Sequence, residues 1–283
     1  MKRLLSIEFQ KIWKNKASKF LLLTYFVLLS FIALIASIKF NIGTFEINIA
    51  DQGIFNFPYI WHFNTYVAAW FKFFLAIIIV SMMANEYTYG TLKQNLIDGL
   101  SKKEFILSKF SVVVVLALAS TVFVFIMSLL LGYSFSAYNE FSIVFSDLEY
   151  LLALFVKLTA FFSFCLFVGI LIKRSAFALG FIFVWFVFEK LFYSILKFPI
   201  LKGSSKVDNF ADKIYNFFPL QSMSNLIKEP FTRLSFAKTL ETTIGGEQVA
   251  RDYSIHFSEI SIVVVWTFVF ILTSYYIVKK RDL

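Results

Sequence analysis

Long apolar runs alternate with short polar ones along this chain, and the run lengths set the first expectation. A helix of about 20 apolar residues crosses the roughly 30 Å hydrocarbon layer of a bilayer. Segments 20–38, 67–84, 110–132, 151–172, 176–196 and 260–278 meet that requirement. The pattern predicts an all-α integral membrane protein with six transmembrane helices, built as a single domain over 1–283. An even number of spans would leave both termini on one side.

The polar runs carry patterns of their own. Residues 1–19 set Leu5, Phe9, Ile12 and Trp13 on one helical face, with Lys11 and Lys14 beside it. This predicts an interfacial helix with its lysines near anionic headgroups. An extension of the first span would satisfy the same pattern. No small-residue cleavage site follows, as a secretory signal would require.

Between the second and third spans, Leu92, Leu96, Ile97 and Leu100 recur at helical spacing, with Lys93, Gln94, Asn95 and Asp98 between them. Gly90 and Gly99 bracket this run, and Ser101 with Glu104 reads as a capping box opening the next helix. A short amphipathic helix is predicted within 85–104, and a solvated loop with one helical turn is the plainer alternative. The long segment 197–259 contains Ile-Tyr-Asn-Phe-Phe-Pro-Leu at 214–220, too apolar for a free loop. Short helices dipping into the membrane interface are expected there, broken at Pro219 and Pro230, with a turn at Gly245-Gly246.

Charge orients these elements. Lys and Arg cluster in the N-terminal segment, in 85–109, at Lys173-Arg174 and at Lys279-Lys280-Arg281. The alternate loops are poor in them: 39–66 has only Lys39 and 133–150 has none. By the positive-inside rule both termini and 85–104 are expected to be cytoplasmic, and 197–259 extracytoplasmic.

Composition closes other classes. Only 16% of residues are charged, against about a quarter in soluble domains. The net charge of +9 sits at span ends, where orientation requires it, so nucleic acid is not an expected partner. One cysteine and two histidines give no internal disulfide and no evident metal site, and His62 and His256 read as interface residues. The chain lacks G-x-x-x-x-G-K-[ST] and H-E-x-x-H, so no catalytic, cofactor-binding or metal-ligating residue is assigned.

Lys72, Lys157, Glu189 and Lys190 fall inside predicted spans, in the half away from the termini. Charges at such depth face a partner or a water-filled cavity. An ion pair between Lys157 and Glu189 is expected, the alternative being lysines that snorkel to the headgroups.

Glu86, Gly90-Thr91, the apolar run 92–100, Ser101-Lys102, Phe105 and Lys109 together resemble a segment of ABC transporter permeases of the ABC-2 exporter type. Gly99 stands where many members have Pro, and Lys102 replaces the commoner Arg. The basic lead-in, the six spans and the long segment before the last one are similar as well. The resemblance implies that 85–104 is a coupling helix gripped by a separate ATP-binding subunit. Glu86, Gly90, Thr91, Leu92, Leu96, Ile97 and Leu100 would transmit motion. It also implies ATP and Mg on that partner and none here, and a second permease chain, identical or related. The setting would be a cytoplasmic (inner) membrane with its lipids, and the cargo an amphiphile such as a lipid, peptide or drug. A non-transporting membrane scaffold or assembly factor is the alternative.

Overall fold

A computed structural model describes residues 2–37, 39–42, 45–48, 53–197, 205–233 and 252–281, with the side chains of 33–48 and 205–210 left aside. The turn expected at Gly245-Gly246 lies outside the described residues. The elements begin with α1 (Lys2–Lys14), α2 (Lys16–Ser37) and an antiparallel hairpin of β1 (Lys39–Ile42) and β2 (Phe45–Asn48), in which Lys39 pairs with Asn48 and Ile42 with Phe45. Then come α3 (Tyr59–Trp70), α4 (Lys72–Thr88), α5 (Thr91–Ile97), α6 (Lys102–Phe135), α7 (Phe141–Val144) and α8 (Glu149–Ile172). The described chain ends with α9 (Ser175–Leu196), α10 (Ser205–Phe217), α11 (Pro219–Asn225), a 3₁₀ turn at Phe231–Arg233 and α12 (Phe257–Lys280).

Helix α8 is the centre of the bundle, packed by α12, α4, α6, α9 and α3. Its sequence explains the position. Ala153, Ala160, Ser163 and Gly169 are all buried and small enough to let neighbouring backbones come close, the main device for packing helices in lipid. At Gly169 a Cβ atom would lie 3.0 Å from Met83 Cβ and 3.5 Å from the Val80 carbonyl oxygen, so α4 sits directly on that glycine. The outer helices α9 and α12 turn Phe177, Phe183, Val265 and Phe268 outward.

Among the described residues, four helices are each long and apolar enough to cross a membrane, and six if two bent pairs are counted as spans. The protein is therefore an integral, multi-pass α-helical bundle. The first bent pair is α1 with α2, which meet at 90°. Asn15 makes the corner: its Oδ1 accepts the amides of Ala17 at 3.0 Å and Ser18 at 3.2 Å, capping α2 as α1 ends. Helix α1 thus lies across one end of the bundle.

The second bent pair corrects the expected straight span at 67–84. Helices α3 and α4 meet at 42°, with Phe71 between them. The Phe71 amide bonds the Ala68 carbonyl at 3.2 Å, a tight i to i−3 step, and its ψ of −3° breaks the α-helical ladder. Neither Pro nor Gly marks the bend, so an apolar count runs straight through it. The loop expected at 39–66 is likewise structured, containing the hairpin and the start of α3.

Both ends of the bundle are tied by side chains that satisfy free backbone groups. Lys102 Nζ donates to the Lys279 carbonyl at 3.2 Å and the Arg281 carbonyl at 3.0 Å, closing the end of α12. Arg281 in turn donates to the carbonyls of Ile170 at 2.7 Å and Leu171 at 3.2 Å, closing the end of α8. The last carbonyls of a helix have no intrahelical partner and carry partial negative charge, so a cation there is favourable. At the opposite end, Trp61 Nε1 donates to the Val144 carbonyl at 2.9 Å and joins α3 to α7.

Candidate functional site

The end of the bundle that carries α5 is built around one carboxylate. Glu86 is the last buried side chain of α4. Its Oε1 accepts Lys109 Nζ of α6 at 2.5 Å and Lys11 Nζ of α1 at 2.9 Å, while Oε2 accepts the Thr91 hydroxyl at 2.6 Å. Lys109 also reaches Glu8 Oε2 of α1 at 2.6 Å, and Lys11 reaches Glu8 Oε1 at 3.3 Å. Two carboxylates and two ammonium groups therefore form a charge-balanced cluster that joins α1, α4, α5 and α6. Lys109 is 0% exposed, and Glu8 and Glu86 are both buried. Burial pulls the pKa of Lys11 down, but hydrogen bonds and the fields of Glu86 and Glu8 outweigh it, so the value ends above its ordinary level.

The backbone between Glu86 and Thr91 has to reverse within a few residues. Gly90 makes this possible at φ 67°, a left-handed conformation that disfavours any Cβ. Gly99 does the same at φ 95° on the far side of α5. The capping box then opens α6: Ser101 Oγ accepts the Glu104 amide at 3.1 Å, and Glu104 Oε2 accepts the Ser101 amide at 3.0 Å.

Helix α5 has two faces, divided differently from the expected one. Leu92 is buried, and Leu96 and Leu100 pack against the core. Ile97 does not join them; it is 75% exposed, as is Tyr89. Five residues from Leu92, Ile97 is turned well away from the face that Leu92 and Leu96 share. Exposed Lys93, Gln94 and Asp98 accompany it. A groove of ≈ 350 Å³ lies beside the cluster, between α1–α2 and α4–α5, lined by Lys11, Lys14, Asn85, Glu86 and Tyr89.

The predicted intramembrane patch separates into two sites. No ion pair within 4.0 Å joins Lys157 and Glu189, which corrects that expectation. Glu189 on α9 accepts Trp185 Nε1 at 2.8 Å and the amides of Leu220 at 3.1 Å and Gln221 at 3.0 Å. The two amides belong to the first turn of α11, so the buried carboxylate caps and anchors that short helix. Lys190 serves the same junction from the surface, donating to Gln221 Oε1 at 3.2 Å. Lys72 and Lys157 line a different space, a cavity of ≈ 680 Å³ bounded by α3, α4, α8, α9 and α11.

Several residues with structural weight were not legible in the sequence. Glu8 reads as an isolated acid in a basic segment, yet Leu5, Glu8, Phe9 and Ile12 share the packed face of α1, and Trp13 lies off it, 53% exposed. That i, i+3, i+4, i+7 spacing was the available signal. His62, expected at an interface, is buried. It stacks on Tyr150 at 4.3 Å, meets the Lys228 carbonyl through Nε2 at 2.9 Å and receives Arg233 Nη1 at Nδ1 at 3.1 Å. A guanidinium only donates, so Nδ1 accepts and the proton sits on Nε2. His256 remains exposed beside Asp252 at 3.0 Å. Among the described residues no cluster of His, Cys, Asp and Glu could hold a metal ion, and Cys165 is free and buried.

The structure is that of a multi-pass membrane bundle whose polar end gathers Glu86, Thr91 and Lys109 into one cluster. The family model described as "ABC-2 family transporter protein" matches residues 3–283, and the chain belongs to that family. No curated protein sequence matches the chain significantly. Permease domains of this family are non-catalytic transmembrane subunits, so this chain is not an ATPase, and the family typically pairs with an ATP-binding cassette subunit.

Proposed function

We infer that the chain is the membrane-spanning subunit of an ATP-driven exporter, working with a separate ATP-binding subunit and a second permease chain. The observation that carries this reading is the position of α5. The Glu86 cluster holds it to α1, α4 and α6, while Ile97, Tyr89, Lys93 and Asp98 remain free on its outer side. A push on that outer side is transmitted through a buried, hydrogen-bonded junction to three other helices. With the basic segments on the cytoplasmic side, the ATPase would grip 85–104 there, using Ile97 and Tyr89 as apolar anchors and the groove beside Lys14 as a rim. Leu92, Leu96 and Leu100 then serve as the seat of α5, and Gly90 with Thr91 as its hinge. Nucleotide and Mg belong to the partner, and the cargo class is an amphiphile.

The test is co-purification from membranes in mild detergent. Ile97→Asp and Tyr89→Ala should release a stoichiometric ATPase subunit while the chain still inserts and elutes as a monodisperse species. An ATPase that remains bound to both variants would remove α5 as the docking element. Absence of any ATPase from the unmodified chain would favour the scaffold reading.

A further inference from the structure

The lysines facing the ≈ 680 Å³ cavity meet no counter-charge among the described residues. Lys157 is 4% exposed, and no carboxylate and no hydrogen-bond acceptor among the described residues meets its ammonium group. Lys72 enters the same cavity from α4 with its ammonium 4.4 Å from the Phe161 ring centroid, and no ion pair joins it among the described residues. Glu189 lies on the helix that lines the cavity, but no hydrogen bond or ion pair joins it to either lysine. Its oxygens face Trp185 and the amides of α11 instead. Two lysine side chains thus share a largely apolar enclosure with no described protein anion, an arrangement in which carrying both charges is expensive until an anion joins them.

The rest of the wall is mainly apolar, with Tyr66, Trp70 and Ser224 adding the other polar side-chain atoms. Phe73, Phe161, Phe183 and Phe186 surround the lysines, and Ala69 and Ala76 leave room between α3–α4 and α9. Trp70 and Phe183 stand exposed at the rim, so the opening faces sideways, out of the bundle. The volume falls in the ordinary range for small-molecule sites. A free inorganic anion would satisfy the lysines and leave the aromatic wall unused, whereas an uncharged chain would do the reverse. We propose that this cavity binds an anionic amphiphile. Its phosphate or other acidic headgroup lies between Lys72 and Lys157, and its apolar chain runs along the phenylalanines to the lateral opening. The proposal names a substrate class for the exporter reading and rests on it only for the word substrate, since binding requires no ATPase.

The experiment uses the full chain purified in an uncharged maltoside detergent, with dodecyl phosphate as the probe and native mass spectrometry or calorimetry as the readout. Dodecyl phosphate should bind at least tenfold more tightly than dodecyltrimethylammonium, and equimolar inorganic phosphate should not displace it. Lys157→Met and Lys72→Gln should each weaken binding at least tenfold. Lys72 is the less buried of the two, so its variant decides the matter if Lys157→Met fails to fold. Equal binding of the cationic amphiphile, undiminished binding by a folded variant, or displacement by inorganic phosphate would each overturn the proposal. Those failures are separable from failure of the exporter reading, which is measured by ATPase co-purification and leaves this binding untouched.

Discussion

Replacing Lys109 with Met tests the junction beneath α5 most directly. The substitution keeps side-chain volume close to that of Lys but removes the one fully buried cation of the cluster. Glu8 and Glu86, which approach Lys109 Nζ at 2.6 Å and 2.5 Å, would be left with only the half-exposed Lys11 between them. Breaking a buried ion pair by removing one partner costs about 3–5 kcal/mol, most of it the cost of the uncompensated charge left behind. For a chain of this size that is a fall in Tm of about 10 °C. The assay is thermal unfolding of the detergent-solubilised protein followed by size-exclusion fluorescence. Lys109→Met combined with Glu8→Gln restores charge balance, with Glu86 still bound to Lys11 and Thr91, and should recover at least half of the loss. If the single variant melts within about 2 °C of the unmodified protein, corresponding to less than about 1 kcal/mol, the cluster does not hold α5 as described. The same conclusion follows if the double variant melts no higher than the single one.

Three further changes probe other joints. Gly90→Ala meets no atom within 4 Å, so its cost is backbone strain at φ 67°, about 1–2 kcal/mol, and Gly90→Asn should melt higher than Gly90→Ala. Gly132→Ala drives a methyl group into the Phe57 ring and should cost about 1–3 kcal/mol in a melting assay, with Phe57→Leu restoring part of it. Glu189→Ala leaves the Leu220 and Gln221 amides without their acceptor, at about 1–3 kcal/mol per buried group. Hydrogen exchange at those two amides should accelerate while α8 remains protected; unchanged exchange would mean that α11 is held by packing alone.

The α5 junction shows why part of a site can be legible and part not. The capping box of Ser101 and Glu104 and the glycines at 90 and 99 are local devices, satisfied by neighbours in sequence, and the structure contains them as expected. The charged partners of Glu86 are Lys109 and Lys11, at sequence separations of 23 and 75, and separations of that kind leave no periodic trace. Glu8 lies 101 residues from Lys109, and that pairing is absent from the local pattern for the same reason. The pairing expected for Lys157 and Glu189 came from equal depth in consecutive spans. Depth constrains distance along the membrane normal and says nothing of rotation about a helix axis, and in the fold the two side chains have different neighbours.

The sequence by itself determined that the chain is a membrane bundle, where its long apolar helices run, and which short segment punctuated by glycines stands between them. Those features follow from the cost of exposing polar backbone to lipid and from local turn and capping chemistry, which act within a few residues. The tertiary structure alone decided the bend at Phe71, the outward turn of Ile97, the cluster around Glu86, and which charge meets which partner. Each of these depends on how helices rotate and tilt against one another. That arrangement is set by small residues such as Gly169 meeting a particular neighbour, and hydropathy along the chain carries no record of it.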